Sequence, residues 1–293
     1  MIHNSDIQIR DPFIVAVTKE EQYYMFGTTD ADCWKAPGVG FDVYKGKDLE
    51  NWEGPFPAFR PTAGFWGVRN FWAPEVHVYK GRYYMFASFI GDEIRRGTQI
   101  LVSDGPVGPY LPHSKGAVTP VDWGCLDGTL YVDENDRPWM VFCHEWLQVE
   151  DGEMCVLPLS DDLSEAVGEA TLLFRASEAP WSVSYLKERP AYVTDGPYMH
   201  RCDDGTLLML WSSFCETGYA IGIARSTTGK IIDPWEQEQG PIYSADGGHG
   251  MVFSTFEGEL LLSIHTPNDS PNERPIFISL EEKGGALSVV DER

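Results

Sequence analysis

Three aspartates, Asp11, Asp127 and Asp195, each begin a short run of apolar and aromatic residues. The runs read Asp-Pro-Phe-Ile-Val, Asp-Gly-Thr-Leu-Tyr and Asp-Gly-Pro-Tyr-Met. Carboxylates that converge in one place repel each other, so the pKa of at least one rises and the group is suited to general acid–base chemistry. The chemistry therefore depends on which elements bring the three side chains together.

Those elements form a repeat. Similar segments begin at residues 11, 73, 127, 195 and 249, and each is followed 10 to 12 residues later by a second β-rich run. A short polar turn such as Lys80-Gly81-Arg82 separates the two runs, which is typical of a β-hairpin. The second runs cover residues 23–26, 83–86, 139–142, 207–210 and 260–263.

Third strands follow in most repeats, and helical periodicity is nearly absent, with one turn at most over residues 161–166. Five such units predict an all-β fold, a five-bladed β-propeller forming a single domain over residues 1–293. The alternative is an irregular β-sandwich. In a propeller the first strand of each blade lines the axis, so residues 11, 73, 127, 195 and 249 should converge on an axial pit that holds the active site.

The amino-acid composition limits the classes of partner that the protein can bind. The chain has 22 basic and 45 acidic residues, a formal net charge of −23, which argues against nucleic acid and anionic membranes. No apolar run approaches the roughly 20 residues of a membrane span. The N-terminus lacks the features of a signal peptide, so we expect a cytoplasmic protein. Six cysteines without a C-x-x-C pair favour reduced, mostly buried thiols over disulfides. The oligomeric state stays open.

Taken in order, these segments resemble glycoside hydrolase family 43, a family of five-bladed propeller enzymes. The matching pieces are Arg10-Asp11-Pro12-Phe13, Phe71-Trp72-Ala73-Pro74-Glu75, Leu126-Asp127-Gly128, Asp195-Gly196-Pro197 and Gly248-His249-Gly250. The resemblance implies hydrolysis of O-glycosyl bonds with inversion, on arabinose- or xylose-containing oligosaccharides of hemicellulose. It also implies that Asp11 is the general base, Asp127 the carboxylate that tunes the acid's pKa, and Asp195 the general acid.

At Asp195 the chain departs from the family, which usually has Glu before Gly-Pro or Ala-Pro. Three outcomes follow: Asp195 is the acid in a reshaped site, Glu178 or Glu188 replaces it, or the protein is an impaired, carbohydrate-binding propeller. We favour Asp195. A retaining fructan or sucrose hydrolase of a related propeller family is disfavoured, because Arg10 stands where those enzymes carry Asn before Asp-Pro.

The resemblance also suggests binding residues. Trp72 belongs either to the core or to a sugar-stacking floor, and Trp66 and Arg69 are candidate sugar contacts. Arg274 resembles an arginine that reaches back to the tuning carboxylate. His249 is either a hydrogen-bonded structural residue or the holder of an axial ion.

We expect that no cofactor is required, although a structural Ca²⁺ is possible. For a metal at His249, Ca²⁺ with mainly water ligands is expected rather than Zn²⁺, because no Cys/His cluster has zinc spacing. Loops at residues 31–39, 65–70 and 181–189 should rim the pit. Three bulky rims favour exo action, as in an α-L-arabinofuranosidase or a β-xylosidase.

Overall fold

A computed structural model describes residues 1–290 and contains five antiparallel sheets. Residues 291–293 of the predicted domain lie outside the described part. Each sheet is built from strands that are consecutive in the chain, except that the N-terminal strand adds to the outer edge of the first. The first sheet contains β1 (Ile2–His3), β2 (Arg10–Val17), β3 (Gln22–Thr28), β4 (Phe41–Gly46) and β5 (Asn51–Phe59).

The other four sheets repeat a four-strand pattern. The second contains β6 (Arg69–Tyr79), β7 (Arg82–Ile90), β8 (Gly97–Ser103) and β9 (Leu111–Ala117). The third contains β10 (Cys125–Val132), β11 (Pro138–His144), β12 (Glu153–Pro158) and β13 (Thr171–Arg175). The fourth contains β14 (Asp195–Arg201), β15 (Leu207–Cys215), β16 (Gly218–Ser226) and β17 (Trp235–Gln237). The fifth contains β18 (Gly248–Ser254), β19 (Leu260–Thr266), β20 (Arg274–Lys283) and β21 (Ala286–Val289).

Helix is limited to single turns in the described chain. They are α1 (Trp146–Val149) and three 3-10 turns, Asn4–Asp6, Thr18–Glu20 and Ala176–Glu178. The sequence did not predict α1, which is one turn closed by the bond from Glu150 N to Trp146 O at 2.7 Å. Within residues 1–290 no helix is long and apolar enough to cross a membrane.

The sheets are blades around an axis. The inner strands β2, β6, β10, β14 and β18 each contact the next, and β18 contacts β2, so the ring closes between the fifth and first blades. The second strand of a blade lies between two neighbouring sheets, which is why β7 buries six consecutive residues, Tyr84–Phe89, instead of alternate ones. The predicted five-bladed propeller is confirmed. All six cysteines are free thiols and five are buried, as expected.

Candidate active site

A pit of about 490 Å³ opens where the inner strands begin. The carboxylates of Asp11, Asp127 and Asp195 and the ring of His249 all line it. The structure thus brings together the three aspartates and the histidine that the repeat placed at the heads of the blades. Further lining residues include Arg10, Trp34, Trp72, Arg96, Glu145, Trp146, Tyr185, Phe214, Tyr219 and Asn268.

Apart from Asn70, a second such residue in β6, each inner strand carries one left-handed residue near its start. The residues are Asp11, Ala73, Asp127, Gly196 and His249, with φ between 46° and 55°. A non-glycine residue pays about 1–2 kcal/mol for this conformation, which has to be offset by the bonds it permits. Each of these residues lies within a shift of the strand register, as in a β-bulge, which redirects the chain at that point.

The position of the left-handed residues corrects one detail of the repeat predicted from the sequence. Residue 195 was expected to be equivalent to residues 11, 73, 127 and 249, but Gly196 occupies that position. Asp195 is instead equivalent to the residue just before the left-handed one in each other blade. These residues pair with the second strand of their own blade and are Arg10, Trp72, Leu126 and Gly248. The acid candidate therefore approaches the pit from a position one residue earlier than the other two aspartates.

The backbone N–H groups of the left-handed residues connect neighbouring blades. Ala73 N donates to Thr28 Oγ1 at 2.8 Å, Asp127 N to Ser88 Oγ at 2.8 Å, and His249 N to Ser212 Oγ at 2.9 Å. Each acceptor belongs to the second strand of the preceding blade. The strain of each bulge is thus offset by a bond that fixes the blade-to-blade angle.

The third blade has a thiol, Cys143, where its neighbours have a hydroxyl, since Cys143 lies opposite Leu126. The Gly196 N–H instead donates to Asp127 Oδ2 at 3.0 Å. A side chain at position 196 would clash, because a Cβ there would lie 2.7 Å from His249 Cγ. Glycine at 196 therefore lets Asp127 and His249 approach the same point.

His249 lies at the centre of the carboxylates. Its Nδ1 is 3.4 Å from Asp11 Oδ1 and 3.6 Å from Asp127 Oδ2. Burial lowers the pKa of His249, but the charges of Asp11, Asp127 and Glu75 outweigh it and raise the pKa to about 10. At neutral pH the ring is therefore an imidazolium that neutralises part of the negative charge in the pit.

Asp11 is held in its ionised form. Burial acts to raise the pKa of its carboxyl, but His249 and Arg10 together with the hydrogen bond from Thr28 Oγ1 at 2.8 Å lower it overall. The Asp11 N–H donates to His265 Nδ1 at 3.1 Å. His265 can accept this bond because burial and the nearby Arg10 lower its pKa to about 3 and keep its ring neutral.

The pKa values of Asp127 and Asp195 shift in the opposite direction to that of Asp11. Burial is the largest cause and raises the pKa of both carboxyls, and the negative charge of Asp11 raises both further. Asp195 adds to the effect on Asp127. The pair therefore retains a proton at a pH at which Asp11 has lost its own.

Tyr219 positions Asp195. Its hydroxyl donates to Asp195 Oδ2 at 2.9 Å, and its ring stacks on His265 with centroids 5.9 Å apart. Glycine at 248 leaves room for this ring, because a Cβ there would lie 2.4 Å from Tyr219 Cε1. The repeat offered no signal for Tyr219, since it lies on a third strand and reaches the pit through the tertiary fold.

The alternative acids lie elsewhere. Glu178 is exposed, and its Oε1 accepts the Arg175 N–H at 2.9 Å in a 3-10 turn. Glu188 is also exposed, and neither side chain lines the pit. Of the three acid candidates from the sequence, only Asp195 is brought to the other two aspartates.

Two aromatic walls flank the carboxylates. The first comprises Trp34 and Trp72, whose rings are 5.0 Å apart, with the Arg96 guanidinium 4.0 Å over Trp72. The Trp72 indole N–H donates to Cys33 O at 2.8 Å. Trp72 is thus a fixed part of the pit surface, which resolves the choice between core and pit for this residue.

The second wall comprises Trp146, Tyr185 and Phe214, with Tyr185 centred 5.9 Å from Trp146 and 4.6 Å from Phe214. Glu145, beside Trp146, forms a buried ion pair with Arg96, and both residues line the pit. Sequence reasoning missed Arg96, Glu145 and Trp146. The only available hint was the polar and aromatic stretch that directly follows the second strand of the third blade.

Three predicted binding residues do not line the pit. The Trp66 indole N–H donates to Gln99 Oε1 at 2.6 Å, and its ring lines a separate cavity. Arg69 begins β6 and pairs with Ile90. The Arg274 guanidinium is held by the carbonyls of Ser5, Pro271 and Glu273, so its expected reach to Asp127 does not occur. His249 is instead the cation beside Asp127.

The surroundings of His249 bear on the predicted axial metal ion. His249 Nε2 is buried without a hydrogen-bond partner in the described structure, and Glu75 Oε1 lies 3.8 Å away. One imidazole and one carboxylate offer Ca²⁺ few ligands, so water would supply the rest. The imidazolium would also have to lose its proton before it could bind an ion. A metal at His249 stays a prediction, and no step of the chemistry depends on it.

The pit thus combines an ionised carboxylate, a pair of carboxyls that retains a proton, and two aromatic walls, which together meet the requirements of glycoside hydrolysis. The comparisons with known proteins agree. Residues 5–279 match the model of Glycosyl hydrolases family 43, and the chain belongs to this family. The recognition from sequence, the fold and the enzyme class are thereby confirmed.

Solved structures give more detail. An endo-arabinase from Bacteroides thetaiotaomicron VPI-5482 is 43% identical, with a TM-score of 0.91 over 97% of this chain and 98% of that one. A thermostable family-43 glycoside hydrolase is 24% identical, with a TM-score of 0.83 over 97% and 93%. An alpha-L-arabinofuranosidase from Lactobacillus brevis is 17% identical, with a TM-score of 0.74 over 96% and 93%. No curated protein matches this chain.

Proposed function

We propose that this enzyme hydrolyses α-L-arabinofuranosyl linkages in arabinan chains with inversion at the anomeric carbon. The observation that carries the proposal is the opposite displacement of the pKa values in one pit, downward at Asp11 and upward at Asp127 and Asp195. An inverting hydrolase needs this division between a base and an acid. The arabinan specificity rests on the similarity to the endo-arabinase from Bacteroides thetaiotaomicron.

In the proposed reaction the Asp11 carboxylate accepts a proton from a water molecule as that water attacks the anomeric carbon. The bond to the leaving sugar oxygen breaks, and Asp195 gives its proton to that oxygen. Asp127 shares the retained proton with the acid, since the charge of Asp195 raises the pKa of Asp127, and its Oδ2 accepts the Gly196 N–H. Overall one water molecule is consumed and two sugars with free hydroxyl groups are formed.

The two aromatic walls support cleavage within a chain. Blades 1 and 2 supply the first wall and blades 3 and 4 the second, so sugars can stack on both sides of the scissile bond. Trp34 is 46% exposed and Tyr185 52%, which leaves ring surface free for sugar. The loop at residues 65–70 was the third rim that favoured exo action, and its Trp66 faces another cavity.

The test compares debranched arabinan with linear xylan and with an aryl α-L-arabinofuranoside. Internal cleavage lowers the viscosity of arabinan early and releases short oligosaccharides, whereas exo action releases single arabinose units while viscosity persists. Proton NMR of the first product should show the anomer opposite to the substrate. Activity on xylan without activity on arabinan would overturn the substrate assignment, and retention would overturn the role of Asp11.

The walls can be tested separately. Trp34→Ala and Trp146→Ala should each raise KM for long arabinan by about 3–10-fold, because each removes one stacking surface. Neither should change KM for a small aryl arabinoside to the same extent. Trp66→Ala is the control, since Trp66 lies outside the pit. A loss confined to one wall would favour exo action.

A further inference from the structure

A second cluster of chemically active side chains lies between blades 4 and 5. It consists of His200 at the end of β14, Cys202 in the following turn, and Glu282 on β20. One potential ligand atom from each lies within 4.8 Å of the others. Asp195 at the start of β14 belongs to the pit, so His200 lies roughly 15 Å further along the strand and away from the catalytic carboxylates.

The three side chains are held by their surroundings. His200 Nε2 lies 2.8 Å from Glu282 Oε2, and the other oxygen of Glu282 accepts the Asp203 N–H at 2.7 Å. Cys202 sits in a tight turn, where its N–H donates to Thr206 O at 2.8 Å. The groups therefore come from two stiff hairpins that face each other.

Cys202 is the unusual member. It is 3% exposed, and within residues 1–290 its thiol makes no hydrogen bond. Cys202 belongs to the apolar cluster between blades 4 and 5, yet its sulfur also lies within 4.8 Å of a potential ligand atom of an imidazole and of a carboxylate. The imidazole and carboxylate alone would be a half-buried hydrogen-bonded pair, and the thiol adds a third, different metal donor to it.

We propose that His200, Cys202 and Glu282 bind a Zn²⁺ ion that connects blade 4 to blade 5. Sulfur, nitrogen and oxygen donors from one Cys, one His and one Glu suit Zn²⁺, and a thiolate disfavours Ca²⁺ and Mg²⁺. Tetrahedral zinc places its ligand atoms roughly 3.3–3.8 Å apart, so small side-chain rotations close the site around the ion. Water takes the fourth position at the half-buried side.

Binding exchanges protons as well as ligands. Cys202 releases its thiol proton to solvent as the Zn–S bond forms, and one Glu282 oxygen moves from the imidazole to the metal. Burial and the charge of Glu282 raise the pKa of Cys202 to about 11, so Zn²⁺ has to displace a firmly held proton. Zinc affinity should therefore rise with pH in the neutral range.

The site would strengthen a junction without a shared strand. Blades 4 and 5 are separate sheets, joined by the connection from β17 to β18 and by apolar side chains between them. An ion bound only by the folded protein raises its stability by mass action. Zinc would thus stabilise the second half of the ring while leaving the pit unaltered.

The experiment titrates the metal-free full-length enzyme with Co²⁺ and Zn²⁺. Co²⁺ should produce a thiolate charge-transfer absorption in the near ultraviolet, and Zn²⁺ should remove it and raise Tm. Cys202→Ser should abolish the absorption. Glu282→Gln, which conserves shape, should weaken Zn²⁺ binding by at least about 10–100-fold. Cys215→Ser is the matched control and should behave as the wild type.

Two results would overturn the proposal. One is a wild-type protein without the charge-transfer absorption at saturating Co²⁺. The other is an absorption that survives in Cys202→Ser, which would assign it to a different thiol. If Cys202→Ser fails to fold, Glu282→Gln decides the question, since unchanged Zn²⁺ affinity in that variant contradicts the site. Hydrolysis of arabinan is measured in parallel and should not depend on Zn²⁺.

Discussion

The inner strands of blades 1 and 4 each place an aspartate in the same pit, but the pKa values of the two carboxyls shift in opposite directions. Asp11 stands at the left-handed position of its strand, near His249, Arg10 and the Thr28 hydroxyl, and its pKa is lowered. Asp195 stands one residue before that position, where burial and the negative charge of Asp11 raise its pKa. One step of register and the neighbouring charges therefore separate the proposed base from the proposed acid.

The difference shows how a repeated fold acquires asymmetric chemistry. In blades 1, 2, 3 and 5 the left-handed residue of the inner strand has a side chain. In blade 4 that residue is glycine, and the carboxylate belongs to the residue before it. Tyr219 then holds that carboxylate from the third strand of the same blade. The shorter Asp in place of the family's usual Glu is compatible with this geometry, because it is already in hydrogen-bond contact within the pit.

Removing the base should have the largest effect. Asp11→Asn should lower kcat on arabinan by about 10³-fold or more, because an amide cannot accept the proton from water. Steady-state kinetics and a thermal melt measure activity and folding together. Asp42→Asn, a carboxylate of the same blade that pairs with Arg60 outside the pit, is the control. A loss below tenfold would leave Asp11 as a structural residue.

Removing the acid should depend on the leaving group. Asp195→Ala should nearly abolish hydrolysis of arabino-oligosaccharides, by about 10²–10⁴-fold, yet spare much of the activity on a dinitrophenyl arabinoside, which needs little protonation. The alkaline limb of the pH–rate profile should also flatten. Glu178→Gln and Glu188→Gln should do neither. If one of these variants shows the leaving-group effect, the acid comes from the loop before blade 4.

The imidazolium between the two aspartates should appear in the pH dependence of stability. The pKa of His249 is about 10 in the folded protein, against about 6.5 in an unfolded chain. Its contribution is fully present below about pH 6.5 and is lost as the pH rises through about 10. Urea unfolding at pH 6 to 10 should show a fall in unfolding free energy that His249→Gln lacks. Parallel curves would contradict a charged ring.

Tyr219→Phe should give the smallest effect. The hydroxyl bond favours the ionised form of Asp195, so its removal should raise the pKa of that acid. The alkaline limb of the pH–rate profile should move to higher pH, while kcat at its optimum changes by less than about tenfold. The profile of Tyr198→Phe, whose hydroxyl bonds Val252 O, is the comparison. A shift to lower pH would reverse the assigned role of Tyr219.

The sequence predicted most of the fold because the propeller repeats. Five hairpins with polar turns recur in the chain. The second strand of each hairpin is apolar for the same physical reason, because it is buried on both faces between neighbouring blades. The same repeat placed Asp11, Asp127 and His249 at equivalent bulges. The prediction for blade 4 was wrong by one residue, at 195 instead of 196, because a bulge changes the direction of a side chain but leaves no mark in the apolar pattern of the sequence.

What the sequence by itself determined were the features encoded in local patterns: the blades, the pit and the carboxylates at the strand heads. The tertiary structure alone decided which distant groups surround them. Tyr219, Arg96 and Glu145 reach the pit from strands and loops that carry no motif, while Arg274 is diverted to backbone carbonyls. Glu282 joins His200 and Cys202 across a blade boundary in the same way. Long-range side-chain contacts depend on how blades dock, and pKa values follow from those contacts, so neither can be deduced from spacing along the chain.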